Sequence, residues 1–225
     1  RDQADQSGRG CRSTTAARLS PVTVTLAELG EAELLRRLTR FAPPGQLDDD
    51  TSTLDPDPRP LLVNTDVLVD DLHFSDRTTS PRDVGWRAVA TNLSDLAASG
   101  AIAVDGITVA LVAPGDTHWS WVEDLYRGIS EALSCYGGIL LGGDCSAGRQ
   151  RLISITALGR LGPLRLHRGD ARPGDWLVTS GAHGLSRLGL ALLQRDAALD
   201  ANVALTESLQ QQAISQQRRP IPRLD

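Results

Sequence analysis

The sequence predicts an α/β protein, on three observations. Short runs rich in Val, Ile and Leu, the composition of strands, recur along the chain. Between them lie stretches with the apolar spacing of amphipathic helices. Proline and glycine clusters such as Pro43-Pro44-Gly45, Gly137-Gly138 and Pro173-Gly174-Asp175 separate the two kinds of segment. Strands alternating with helices define the class.

Residues 1–23 are polar, small and aperiodic, and are expected to be a disordered or extraneous extension. Leu26, Leu29, Leu34, Leu35 and Leu38 form a helical stripe that ends before Pro43. An acidic loop from Gln46 to Pro60 follows, and Leu61-Leu62-Val63 then reads as a short buried strand running into Asn64-Thr65-Asp66. Asp83 is placed to cap a helix over roughly 84–99, stopped by Gly100. Gly106 to Ala113 is a strand. Ser120 and Glu123 have capping-box spacing at the start of a helix reaching about Tyr136. Ile139-Leu140-Leu141 is a strand that leads into Gly142-Gly143-Asp144, and Arg151 to Gly159 is another. A strand is expected over Trp176–Ser180 and a helix from Leu185 to Leu193, with a glutamine-rich tail from Gln210 to Arg219.

Composition narrows the function. The net charge of −5 supplies no basic footprint for a nucleic acid. No apolar run reaches the ~18 residues of a membrane span, and no signal-peptide stretch opens the chain. Cys11, Cys135 and Cys145 form no CxxC pair, which argues against a disulfide framework or zinc site and suits a reducing cytoplasm. All 23 basic residues are arginine. A Walker A loop and a protein kinase both need a lysine at the phosphates, so phosphoryl transfer here would need a different site.

The placement of carboxylates suggests one. Asp49 and Asp50 lie in a loop, Asp66 and Asp144 follow apolar strands, and Asp95 lies among alanines and leucines in a helix expected to be largely buried. Such groups repel one another unless cations lie between them, and magnesium held by carboxylates and substrate phosphates answers that. Each signal also has a plain structural reading. Asp48–Asp50 can be a solvated loop, Asp66 a turn former, Asp95 a helix-surface residue and Gly142-Gly143 a tight turn. Read from the residues alone, His73 is a surface or core histidine and Tyr126 a core residue. Trp86, Trp119, Trp121 and Trp176 read as core or interface, and Cys145 has no partner for nucleophilic chemistry.

Taken together, Asp48-Asp49-Asp50, Asn64-Thr65-Asp66 with His73-Phe74, Asn92-Leu93-Ser94-Asp95-Leu96-Ala97-Ala98, Gly142-Gly143-Asp144 and Arg168-Gly169-Asp170-Ala171-Arg172-Pro173-Gly174-Asp175 occur in an order that resembles the thiamine-monophosphate kinases. These belong to the superfamily of aminoimidazole ribonucleotide synthetase, selenophosphate synthetase and the hydrogenase-maturation dehydratase. The resemblance covers roughly residues 25–225. It implies an N-terminal mixed-sheet ATP- and magnesium-binding domain over 24–161, dimerising through its sheet, and the start of a second α/β domain over 162–225. It implies that Asp50, Asp66, Asp95 and Asp144, assisted by Asp49 and Thr65, hold several Mg2+ ions against ATP. It also places Tyr126, Gly143, Asp144 and Arg168 at the nucleotide and His73 at thiamine monophosphate. The implied reaction is in-line transfer of the γ-phosphoryl group to that substrate, with no general base.

Three features depart from the pattern. Asp48 replaces a glycine, Asn64 a common serine, and Asp70-Asp71 a smaller segment. The family continues beyond Pro220–Leu224 into a further acidic motif, so this truncated chain is expected to have weak or no kinase activity alone. Another superfamily enzyme, such as a selenophosphate synthetase, and an inactive nucleotide- or metal-binding fragment stand as alternatives.

Overall fold

The computed structural model describes residues 24–179, 181, 183–196, 199 and 204–224, so the expected extension over 1–23 lies outside the described residues. Thr25 opens the fold with a capping box. Its hydroxyl accepts from Glu28 N at 3.3 Å while its own N–H donates to the Glu28 carboxylate at 2.8 Å. The expected single helix is broken at Gly30 into α1 (Leu26–Leu29) and α2 (Glu31–Leu38), and the second buries Leu34 and Leu38. Helix α3 (Pro81–Ala98) is capped by Ser80, not Asp83. Asp83 N donates to the Ser80 hydroxyl, and Pro81 occupies the first turn, where no backbone donor is needed. Helix α4 (Trp119–Tyr136) begins after His118, and no Ser120–Glu123 box forms. Glu123 is drawn away to Arg40 at 2.5 Å and Arg127 at 2.7 Å.

Four strands, β1 (Leu61–Val69), β2 (Ala101–Ala113), β3 (Ile139–Ala147) and β4 (Leu152–Leu161), form one mixed sheet in the order β1-β4-β2-β3. Only the β2–β3 pair is parallel, and α4 makes its crossover. All are longer than predicted. β1 is an edge strand with one open face, so it alternates instead of reading as a buried run. β3 continues, past an irregularity at Leu141, through Gly142-Gly143-Asp144, which form neither a turn nor a strand end.

Ile107, Val109 and Leu111 of β2 and Ile153, Ile155 and Ala157 of β4 face the helices. There they pack with Val89 and Leu93 of α3 and Val122, Leu125 and Ile129 of α4. The two helices approach closely through paired glycines. A Cβ on Gly85 would lie 2.0 Å from Leu125 O, and one on Gly128 would lie 1.8 Å from Arg82 O. Among the described residues no helix covers the opposite face of the sheet, where Val63 is 59% and Val67 39% exposed beside Thr65. Trp119 and Trp121 are buried as expected.

After β4, the described residues contribute helices but no strand. The expected strand over Trp176–Ser180 is not formed over its described part, because no neighbouring strand is there to complete a ladder. Trp176, read from sequence as core or interface, is 93% exposed. Helix α5 (Leu185–Gln194) packs on α6 (Glu207–Arg218), which turns the expected glutamine-rich tail into a helix. The end of α6 is fastened to α3 and α4. Trp86 Nε1 donates to Pro220 O at 2.9 Å, and Arg219 pairs with Asp83 at 2.5 Å and Glu131 at 3.0 Å. Because Arg82 O offers no room for a side chain, Gly128→Ala should cost about 1–3 kcal/mol of stability. Urea unfolding, with Ser130→Ala as a control in the same helix, checks this.

Candidate active site

The acidic loop is tied to β3 by its uncharged residues. Gln46 Nε2 donates to Leu141 O at 3.0 Å and to Ser52 Oγ at 2.9 Å, and the Ser52 hydroxyl donates to the same Leu141 carbonyl. This leaves a pocket of about 390 Å³ between the loop, α2 and β3. Asp49 and Asp50 line it on one side and Gly142, Gly143 and Asp144 on the other, with Leu35, Leu47, Leu140 and Tyr126 supplying apolar wall. Five predicted residues, Asp49, Asp50, Tyr126, Gly143 and Asp144, therefore meet in one place.

Each has a local cause. Asp144 pairs with Ala110 in the sheet, on the uncovered face, where its carboxylate is exposed and accepts from Ser146 Oγ at 3.1 Å. Gly143 is required by the sheet itself, since a Cβ there would lie 1.9 Å from Val109 O. Tyr126 lines the pocket but is only 3% exposed, and its ring lies 5.5 Å from that of Phe41. Burial pushes its phenol well above the ordinary value, with Cys145 alongside. Burial, and then the Asp144 charge, push the Cys145 thiol up to about 11, which favours its protonated form at neutral pH.

A second group forms around β1, and the buried Asn92 amide organises it. Asn92 Nδ2 donates to Ala88 O at 2.9 Å, which turns Oδ1 toward the strand. That oxygen accepts from Asn64 Nδ2 at 3.1 Å and from Asp66 N at 3.2 Å. Asp66 is half-buried on the helix-covered side, and Thr65 points the other way, its hydroxyl 2.8 Å from that of Thr156. Asp95 lies almost one turn beyond Asn92 and is exposed. The helix is largely buried, but position 95 faces outward while Asn92, Leu93 and Leu96 face inward. Asp95, Asn64 and Arg168 line a second pocket of about 490 Å³ with Arg165 and His167. His73 lines neither of these pockets. It sits exposed in the turn after β1, where its Nδ1 accepts from Val69 N at 3.0 Å.

Within one chain the two groups stay apart. β1 and β3 are opposite edges of the sheet, three strand spacings or roughly 14 Å from each other. Among the described residues, no three His, Cys, Asp or Glu side chains are close enough to enclose a metal ion. The pocket at β3 still suits magnesium. Its charged donors are carboxylate oxygens, and this ion binds through one or two carboxylates with water and substrate phosphates completing its shell. Sequence reasoning passed over Asn92 as an organising residue, Gln46 and Ser52 as loop anchors, and Arg36 at the pocket mouth. Only Asn92 left a trace, an amide among the apolar residues of a buried helix.

Residues 48–161 match the model of the AIR synthase related protein N-terminal domain. The chain belongs to that family. This AIR synthase-related chain is 54% identical over 197 residues to a thiamine-monophosphate kinase of Prochlorococcus marinus, an alignment covering 88% of the chain and 59% of the relative. The crystal structure of thiamine monophosphate kinase from Aquifex aeolicus superposes with a TM-score of 0.65 at 31% identity, over 90% of this chain and 64% of that one. AaThiL complexed with AMPPCP and TMP gives 0.66 at 32% identity, over 91% and 63%. The chain thus spans about 60% of the length of the relatives it matches. Because Asn92 satisfies Asp66 N and holds Asn64, Asn92→Leu should remove about 1–3 kcal/mol of stability. It should also speed exchange of the Asp66 amide, read by hydrogen-exchange mass spectrometry.

Proposed function

We propose that this chain supplies the nucleotide- and metal-binding domain for ATP-dependent phosphorylation of thiamine monophosphate to thiamine diphosphate. The observation that carries the reading is the β3 pocket, where Asp49, Asp50, Gly143 and Asp144 meet beside an apolar wall. A nucleotide fits that arrangement with its base against Leu35, Leu47 and Leu140 and its phosphates toward the aspartates. The names of the relatives, and the AMPPCP and TMP bound by AaThiL, support the choice of substrates.

Magnesium held by Asp49, Asp50 and Asp144 would neutralise phosphate charge and thereby let two anionic groups approach. The chain's own residues do the positioning. Gln46 and Ser52 hold the acidic loop at β3, and Asn92 fixes the main chain at Asp66. The acceptor phosphate is already ionised near neutral pH, so the transfer needs no base, in keeping with a site without lysine.

Asp66, Thr65 and Asp95, on the other edge, enter the same site through a second copy. The uncovered sheet face, with Val63 and Val67 exposed, is the surface on which two chains would pair. A sheet-to-sheet dimer can set the β1 edge of one copy beside the β3 edge of its partner, so that the acidic groups share metal and phosphate. Arg168 and His73 then face the nucleotide and the thiamine phosphate from the β1 side.

Calorimetry with AMPPCP, with and without Mg2+, and thiochrome fluorescence for thiamine diphosphate test the reading. Nucleotide binding should require magnesium, and Asp144→Asn should weaken it by roughly tenfold or more. Binding indifferent to both magnesium and Asp144, with no thiamine diphosphate formed, would overturn the proposal.

A further inference from the structure

Arg87 of α3 is 8% exposed, yet among the described residues no carboxylate pairs with its guanidinium. Its donors go instead to main-chain carbonyls of two distant segments. Nη2 donates to His73 O in the turn after β1, and Nη1 donates to Gln217 O, 3.3 Å away in the last turn of α6. Its Nε has no hydrogen-bond partner. Burial lowers the basicity of the group, and Asp83 is the opposing charge. A buried cation with no carboxylate in direct contact is costly. A hydrophobic residue of the same length would fill the space at less cost, so the fork must be kept for what it joins.

What it joins is the turn that presents His73. The His73 N–H donates to Val69 O at 2.8 Å, and its Nδ1 accepts from Val69 N, which leaves the proton of the neutral ring on the outward Nε2. The turn is held on its other side by Arg151, which pairs with Asp70 at 2.6 Å and Asp76 at 2.9 Å. Helix α6 adds a second link, since Arg218 Nε donates to Thr78 O at 3.1 Å. The segment after β4 therefore reaches the stretch between β1 and α3 at two points, at Thr78 directly and at His73 through Arg87.

We propose that Arg87 is the positioning residue of His73, bolting its turn to the end of α6 so that the orientation of the imidazole depends on where α6 docks. The consequence for catalysis rests on the reading that His73 faces the thiamine phosphate. Arginine suits this role because its planar fork reaches two acceptors at once, which an ammonium at the end of a flexible stem does not.

The test is nitrogen-15 NMR of the His73 ring in the full chain. The unsubstituted protein should show one fixed tautomer with the proton on Nε2. Arg87→Gln should give averaged ring signals, while the indole signal of Trp119, which is buried beside Arg37 and Arg40, stays in place and reports an intact core. If Arg87→Gln does not fold, Arg87→Lys and Arg218→Ala decide. Arg87→Lys keeps the charge but not the two-armed fork, and Arg218→Ala cuts only the outer link from α6. Both should loosen the ring. A His73 tautomer that stays fixed in every folded variant overturns the proposal.

Thiamine monophosphate binding separates the two readings. If His73 faces the substrate, His73→Ala and Arg87→Gln should each weaken its binding by roughly tenfold, the loss of one hydrogen bond to a charged group, and leave AMPPCP binding unchanged. If His73→Ala has no effect while the Arg87 variants still free the ring, the substrate reading of His73 fails and the positioning role of Arg87 stands.

Discussion

Everything in this fold follows from a four-stranded sheet that, among the described residues, has helices on only one of its faces. The covered face carries Ile107, Val109, Ile153 and Ile155 into the core, where α3 and α4 close over them. The other face is left with Val63, Val67 and Thr65 open. Because the strand order places β1 and β3 at the two edges, Asp66 on β1 and Asp144 on β3 are separated by the width of the sheet. A site that uses both groups has to be closed by something beyond one copy of this domain. The uncovered face is the surface available for that closure.

The aspartates are not buried charges held by partners. Asp49, Asp50, Asp95 and Asp144 are exposed, and the structure invests instead in the groups around them. The Asn92 amide donates to Ala88 O and accepts from Asn64 and Asp66 N. Gln46 and Ser52 converge on one carbonyl of β3. Gly143 lets β3 lie against β2 where a side chain would collide with Val109. Neutral hydrogen bonds thus set the backbone and leave the carboxylates accessible to cations and phosphate, which suits a site that works by positioning charge.

Much of this was legible in the sequence, and the misses share physical causes. Strand composition and helical periodicity located β1 to β4 and α2 to α5, because apolar spacing reports burial directly. The ends were harder. Ser80 competed with Asp83 as a cap, and Pro81 decided it. Gly142-Gly143 looked like a turn because a parallel pairing that needs a missing Cβ leaves the same mark as a loop. Asp95 looked buried because its neighbours are, whereas a helix turns about 100° per residue and one position among alanines can face outward. The exposure of Trp176 and the absence of a strand beside it depend on which segments are there to pair, a long-range fact no local pattern contains. Of the residues lining the pocket at β3, Asp49, Asp50, Tyr126, Gly143 and Asp144 were singled out through the order of motifs, while the separation of Asp66 and Asp95 from them depends on strand order.

The central claim is that the acidic residues of the two sheet edges act together across a pair of chains. The direct measurement mixes two variants, Asp66→Asn with Asp95→Asn in one and Asp49→Asn with Asp144→Asn in the other, and follows magnesium-dependent AMPPCP binding by calorimetry. Each variant alone should fail to bind, because every site in it lacks one edge. After mixing, dimers that join one copy of each regain a site with both edges intact, and binding should return. Variants that stay inert when mixed, or a β1-edge variant that binds as well as the unsubstituted chain, would contradict the account.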